Sequence, residues 1–154
     1  MTKLISKSAS QTKKIGLKLA KKIRPGEIIA LIGDLGTGKT TFLQGLGRGL
    51  GVKNKILSPS FLQLKPYPVK RSRVKYLFHF DFYRLASLSQ LATRGLTEYL
   101  QAKNGVVVIE WADRIKRWLP GRTKYIYFKF LDQDQRLLVF KKFKKEDLKF
   151  LSSL

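Results

Sequence analysis

Glu27-Ile28-Ile29-Ala30-Leu31-Ile32-Gly33-Asp34-Leu35-Gly36-Thr37-Gly38-Lys39-Thr40 is the stretch that decides the fold. Its first part, Glu27 to Ile32, is a short apolar run stopped by glycine and reads as a buried strand. Its second part matches G-x-x-x-x-G-K-T without deviation. Gly38 to Leu50 reads as a helix, with Gly51 placed to end it. Strand, glycine-rich turn and helix in this order predict a phosphate-binding loop. Gly33, Gly36 and Gly38 let the backbone wrap closely, so that its amides form an anion nest. The helix N-terminus adds positive potential. Lys39 supplies a point charge for β- and γ-phosphates, and the Thr40 hydroxyl can ligate Mg²⁺.

Outward from that stretch, Ser10 to Ile23 reads as a helix, with Ile15, Leu19 and Ile23 recurring every four residues until Pro25-Gly26 ends it. Phe61 to Val69 reads as a strand whose Pro66 and Pro68 favour an edge or a bend. Val74 to Asp81 and Val106 to Glu110 are further strands, and a short helix is expected after Arg84. Lys124 to Leu131 and Arg136 to Phe143 form a predicted hairpin turning at Asp132-Gln133-Asp134-Gln135. A basic tail from Lys141 should end in a short helix. The sum is an α/β fold of the P-loop NTPase type: a mixed, mostly parallel sheet flanked by helices, with a C-terminal β-hairpin. The 154 residues fit one domain, 1–154, with one core.

Composition bounds the rest. No apolar run approaches the roughly 20 residues of a membrane span. With no cysteine there is no disulfide, thiolate nucleophile or Cys-ligated zinc, which suits a reducing cytoplasm. The acid-free basic N-terminus would also suit a transit peptide, but its removal would strip the helix expected to cover the Glu27–Ile32 strand. Lys and Arg number 32 against 10 Asp and Glu, a net charge of +22 that attracts RNA, DNA or anionic membrane. A lysine-rich proteome and a solvated surface explain the charge equally well. Between Leu35 and Phe80 no acid occurs, so a carboxylate near that span is more telling than usual.

Two such carboxylates, Asp81 and Glu110, each close an apolar strand. In open α/β sheets, ligands gather at the carboxyl ends of strands. A nucleotide hydrolase needs a carboxylate near its metal and a group that orients water. A helix-capping role is the alternative for either acid. His79, the one histidine, reads as a packed or polar-face residue and receives no catalytic role. Trp111 and Trp118 could stack on a base or belong to a core or interface.

The loop, Ser58-Pro59-Ser60-Phe61, His79-Phe80-Asp81-Phe82-Tyr83-Arg84-Leu85 and Glu110-Trp111 occur in this order. Together they resemble the TsaE family, the bacterial ATPases of threonylcarbamoyladenosine (t6A) tRNA modification, from about Ser8 to Phe140. The resemblance implies slow ATP hydrolysis with Mg²⁺ in the cytoplasm, and action with the TsaB, TsaC and TsaD proteins on the adenosine beside the anticodon. It implies binding to the TsaB–TsaD pair, whose repeated turnover the ATPase supports. Asp34, Leu35, Gly36, Thr37, Gly38, Lys39, Thr40 and Thr41 would hold nucleotide, and Arg136 resembles a position that contacts it. Lys39, Asp81 and Glu110 would be catalytic, with Thr40 and Glu110 at the metal and Asp81 holding metal or water. Ser58, Pro59, Ser60 and Phe61 would form a switch sensing the γ-phosphate. Ser8 to Thr12 corresponds to a segment near the base, so Thr12 and Trp111 are base-adjacent candidates.

Two features depart from the family pattern. Ser60 replaces a usual Thr but keeps the hydroxyl, and Ala86 to Gln90 lacks the usual acids after Arg84. Direct contact with tRNA through the basic surface is a further expectation. An assembly switch without significant turnover, or a small P-loop kinase using Arg114 to Arg122 as a lid, are the competing readings. Arg84 could stabilise charge in the site or form a surface ion pair.

Overall fold

The computed structural model describes residues 1–58, 64–70, 73–85, 89, 95–151 and 153–154. The strand predicted before the glycine-rich loop is β2 (Ile28–Ile32), and the helix after the loop is α2 (Lys39–Leu50). Ahead of them lie β1 (Thr2–Ser6) and α1 (Ala9–Leu19), the latter extended by a 3₁₀ turn at Ala20–Lys22. After them come β3 (Leu64–Pro68), β4 (Tyr76–Asp81), α3 (Leu96–Leu100) and β5 (Gly105–Glu110). A 3₁₀ segment (Ala112–Trp118), β6 (Lys124–Phe130), β7 (Arg136–Lys141) and two 3₁₀ turns (Lys145–Asp147, Lys149–Leu151) complete the described chain.

The seven strands lie in the order β1-β7-β6-β2-β5-β4-β3. The three pairings among β6, β2, β5 and β4 are parallel. The three at the flanks, β1–β7, β7–β6 and β4–β3, are antiparallel. The sheet is therefore parallel in its centre and antiparallel at both edges, which refines the expected mostly parallel sheet. Pro66 and Pro68 sit on edge strand β3, where a missing amide costs no ladder bond. The predicted hairpin forms, and Asp132 Oδ1 accepts from the amides of Asp134 and Gln135 in its turn. Strand β1 has no counterpart in the sequence reading. The short helix expected after Arg84 falls mostly on residues outside the described ones; of that stretch Ser89 is described and is helical, and α3 follows at Leu96.

Two apolar layers sandwich the central strands. One joins Ile15 and Leu19 of α1 and Phe42, Leu43 and Leu46 of α2 to Ile29 and Leu31 of β2. The other packs α3 and the 112–118 segment against Phe78, Phe80, Val107 and Ile109. Each fully buried Leu, Ile or Phe contributes about 1.5–3 kcal/mol. α1 and α2 approach unusually closely: a Cβ on Gly45 would collide with the carbonyl of Lys13, and one on Gly16 with that of Phe42. α1 is started by Ser8, whose Oγ accepts from the Gln11 amide at 3.1 Å, while Gln11 Oε1 accepts from the Lys7 amide at 2.6 Å. The packing of α1 and α2 fixes the height at which α2 meets the end of β2, and thus the loop.

Candidate active site

The parallel register gathers the site. Leu31, at the end of β2, pairs with Glu110 of β5, and Glu110 pairs with Asp81 of β4. The loop leaving β2 therefore emerges beside both carboxylates. Gly38 caps α2 in the left-handed conformation, φ 99°, which an L side chain rarely adopts. The turn it makes brings Lys39 and Thr40 back over the strand ends.

The resulting cleft has a volume of about 340 Å³. Leu35, Gly36, Gly38, Lys39, Thr40 and Thr41 line one side; Ser58, Asp81, Tyr83, Arg84, Glu110 and Trp111 line the other. Lys39 is buried and donates to the carbonyls of Gly33 (2.6 Å) and Asp34 (2.8 Å). Its ammonium also lies 4.4 Å from the centre of the Trp111 ring. Burial lowers the Lys39 pKa, and the opposing charges of Glu110, Asp81, Asp113 and Asp34 offset part of that effect. An incoming anion would give this partly desolvated cation a better partner than carbonyls alone.

The two acids differ. Glu110 is 2% exposed; its Oε1 accepts from Thr40 Oγ1 and its Oε2 meets His79 Nε2, both at 2.7 Å. Asp81 is more open, and its Oδ1 accepts from the Tyr83 amide at 2.9 Å. The acceptor role of the Glu110 carboxylate assigns the proton to Nε2 of His79, leaving Nδ1 as a buried atom without a partner among the described residues. Thr40, Asp81 and Glu110 offer hard oxygen donors of the kind that suits Mg²⁺. Ligand atoms of His79, Asp81 and Glu110 lie within 4.8 Å of one another.

Trp111 carries a backbone strain. Its φ of 57° and ψ of 37° place a bulky residue in the left-handed region, at a cost of about 1–3 kcal/mol. The turn swings its ring over Lys39 and against Tyr83, 4.9 Å between ring centres.

The family described as Threonylcarbamoyl adenosine biosynthesis protein TsaE matches residues 6–138. The chain belongs to the TsaE family. It is 38% identical over 130 residues to the tRNA threonylcarbamoyladenosine biosynthesis protein TsaE of Bacillus subtilis, covering 84% of this chain and 78% of that one. The protein of the same name from Treponema pallidum is 36% identical over 86% of this chain and 94% of its own length. The crystal structure of Bacillus subtilis YdiB superposes with a TM-score of 0.78 at 30% identity, covering 99% of this chain and 94% of that one.

Within this TsaE-family chain, several candidates stand apart from the cleft. Thr12 is buried behind the loop, with its methyl facing Gly38 and its hydroxyl shared with Ser6 Oγ and the Ser8 carbonyl. Arg136 caps the hairpin turn, donating to the carbonyls of Asp132, Gln133 and Gln135. Its guanidinium stacks on Phe130 at 4.4 Å, and Phe130 in turn stands beside Gly36. The Thr37 hydroxyl donates to the Asp34 carbonyl and braces the loop. Ser58 lines the cleft; Pro59, Ser60 and Phe61 lie outside the described residues. His79 is the residue that sequence reasoning passed over. Its signal was the two-residue spacing to Asp81, which puts both on one face of β4.

Proposed function

We propose that this chain binds ATP with Mg²⁺ at the Gly33–Thr40 loop and hydrolyses it slowly, as an accessory of tRNA threonylcarbamoyladenosine formation. Its partners are the TsaB–TsaD pair and a TsaC-type protein. The observation that carries this reading is the Thr40–Glu110 hydrogen bond, 2.7 Å, between the first turn of the loop helix and the end of β5. It joins a hydroxyl and a carboxylate at the place where phosphate and metal would meet. The fit of the oxygen donors and the family membership support it.

The residues then divide the work. The loop amides and Lys39 bind and orient the β- and γ-phosphates. Thr40 and Glu110 would hold Mg²⁺, with Asp81 available to metal or water. When bound, the ion neutralises charge on the phosphate oxygens. Asp81, more exposed than Glu110, would orient the attacking water. His79 holds Glu110 in a single orientation. Trp111 and Tyr83 wall the cleft beside Lys39 and limit water.

The test is ATP hydrolysis by the purified chain with Mg²⁺, alone and with TsaB–TsaD, for wild type and Lys39→Ala. Weak activity that the pair raises and the substitution abolishes is the expected result. Nucleotide binding without turnover in either condition would replace this reading with an assembly switch.

A further inference from the structure

The antiparallel flank has two unlike faces. In register, Lys3 pairs with Val139 and Val139 with Tyr127; Ile5 pairs with Leu137 and Leu137 with Lys129. Paired residues project to the same side, so these six share one face with Tyr125 and Lys141, which are also paired. On the opposite face, Leu138, Phe140, Ile126 and Phe128 join the core under α1 and α2. Ile5, Leu137 and Val139 belong to neither apolar layer, although Ile5 is 47% exposed and apolar. No described helix packs over β1 and β7 on this side. At the margin, Lys116 Nζ donates to Tyr127 Oη at 3.3 Å and Lys142 Nζ lies 5.9 Å from the centre of the Tyr125 ring.

Charge distinguishes this face from a bare apolar patch. β1, β6 and β7 contain no Asp or Glu. Lys3, Lys129 and Lys141 are exposed, and none takes part in a salt bridge or ring contact among the described residues. The nearest acids in sequence, Asp132 and Asp134, sit in the hairpin turn, where Asp132 is occupied by backbone amides. Three lysines on three adjacent strands thus spread over about 10 Å across the sheet and, from Lys129 to Lys141, about 14 Å along it, above a floor of Ile5, Leu137 and Val139.

We propose that this open face of β1, β7 and β6 binds RNA, with Lys3, Lys129 and Lys141 on the sugar–phosphate backbone. Unpaired, solvated lysines on a rigid sheet gain most from a polyanion that releases counterions on contact. A second copy of this face would set lysine against lysine, which opposes a two-fold self-association. An anionic membrane would need several protruding apolar groups to insert, whereas on this face Ile5 protrudes, Leu137 is half-buried and Val139 is only 9% exposed. The surface does not depend on nucleotide turnover, so its failure and that of the proposed ATPase are separable.

The experiment is fluorescence polarisation of a labelled tRNA transcript with the full chain over a salt series. One variant carries Lys3→Gln, Lys129→Gln and Lys141→Gln. A control removes the same charge elsewhere with Lys21→Gln, Lys53→Gln and Lys55→Gln. The face variant should lose about tenfold or more in affinity, and its salt slope should fall by about two to three, near one for each lost phosphate contact. The control should lose less than about threefold. Changing the same three face positions to Arg should keep binding, which also serves if the Gln variant folds poorly. Equal losses in face and control variants would overturn the proposal, since net charge alone would then explain binding. So would an undiminished face variant, or a wild type that does not bind. Face-dependent binding to phosphatidylcholine–phosphatidylglycerol vesicles without RNA binding would assign the face to membrane instead.

Discussion

The parallel centre and the antiparallel flank of the same sheet treat charge in opposite ways. At the carboxyl ends of β2 and β5, two opposite charges are buried and paired: Lys39 on carbonyls and an aromatic ring, Glu110 on Thr40 and His79. Across β1, β7 and β6 the charges are all of one sign; Lys124 pairs with Glu27 and Arg136 caps the hairpin turn, but Lys3, Lys129 and Lys141 are exposed and make no ion pair among the described residues. Burial makes each central contact expensive to lose and specific in geometry. Exposure leaves each flank lysine nearly independent of its neighbours and weak alone. Under the two proposals, a small ligand is held where a few atoms converge at the centre, and a large anion is held by many small contributions at the flank.

Removing central charges should therefore have the largest effects. Lys39→Ala should lower ATP hydrolysis by about 10²–10³, as expected when one positioned donor to a developing anion is lost. Steady-state hydrolysis with Mg²⁺ measures it, and a loss below about threefold would place the chemistry elsewhere. His79→Gln should cost less, because it acts through Glu110. A lost partner behind a metal-binding carboxylate weakens metal affinity by about 10–100-fold. The Mg²⁺ concentration for half-maximal activity should rise, with activity recovering at saturating Mg²⁺. A merely structural role for His79 would lower stability and leave the Mg²⁺ dependence unmoved.

These two residues also show what was legible in the sequence. Lys39, Thr40 and the strand ends Asp81 and Glu110 were readable because local pattern carries them: a glycine-spaced motif, and apolar runs ending in an acid. The hairpin was readable from its turn residues. His79 was not, because its meaning lies in a side-chain contact with Glu110, 31 positions later, across two strands. β1 was missed for a related reason. Thr2–Ser6 is short, and its strand state comes from pairing with β7, where Thr2 meets Phe140. Trp111 was visible as an aromatic, but its left-handed backbone is set by the turn it must make.

Packing that aligns the loop is the next level. Gly45→Ala would add a Cβ that collides with the Lys13 carbonyl on α1. Alanine favours a helix over glycine by about 1 kcal/mol. A collision with backbone cannot be relieved by a rotamer, so α1 and α2 must separate, and overpacking of this kind costs about 1–3 kcal/mol. Net destabilisation is expected in chemical denaturation, with a further loss of hydrolysis because α2 carries Lys39. Stabilisation would mean that the two helices are less tightly apposed than their glycines imply.

The smallest expected effect separates flank from centre most cleanly. Lys129 is exposed and makes no ion pair among the described residues. Lys129→Gln should change stability by no more than about 0.5 kcal/mol. Its sign can still be argued. At a net charge of +22, the folded chain holds like charges closer together than the unfolded chain does, so removing one should stabilise slightly. Salt screens that repulsion. The gain should therefore be greatest at low ionic strength and fade as salt is added, while wild type itself becomes more stable. Denaturation midpoints of both proteins across a salt series measure this directly. A destabilisation that persists in high salt would mean that Lys129 serves the fold through a contact of its own, and the lysine face would no longer be a set of free charges awaiting a partner.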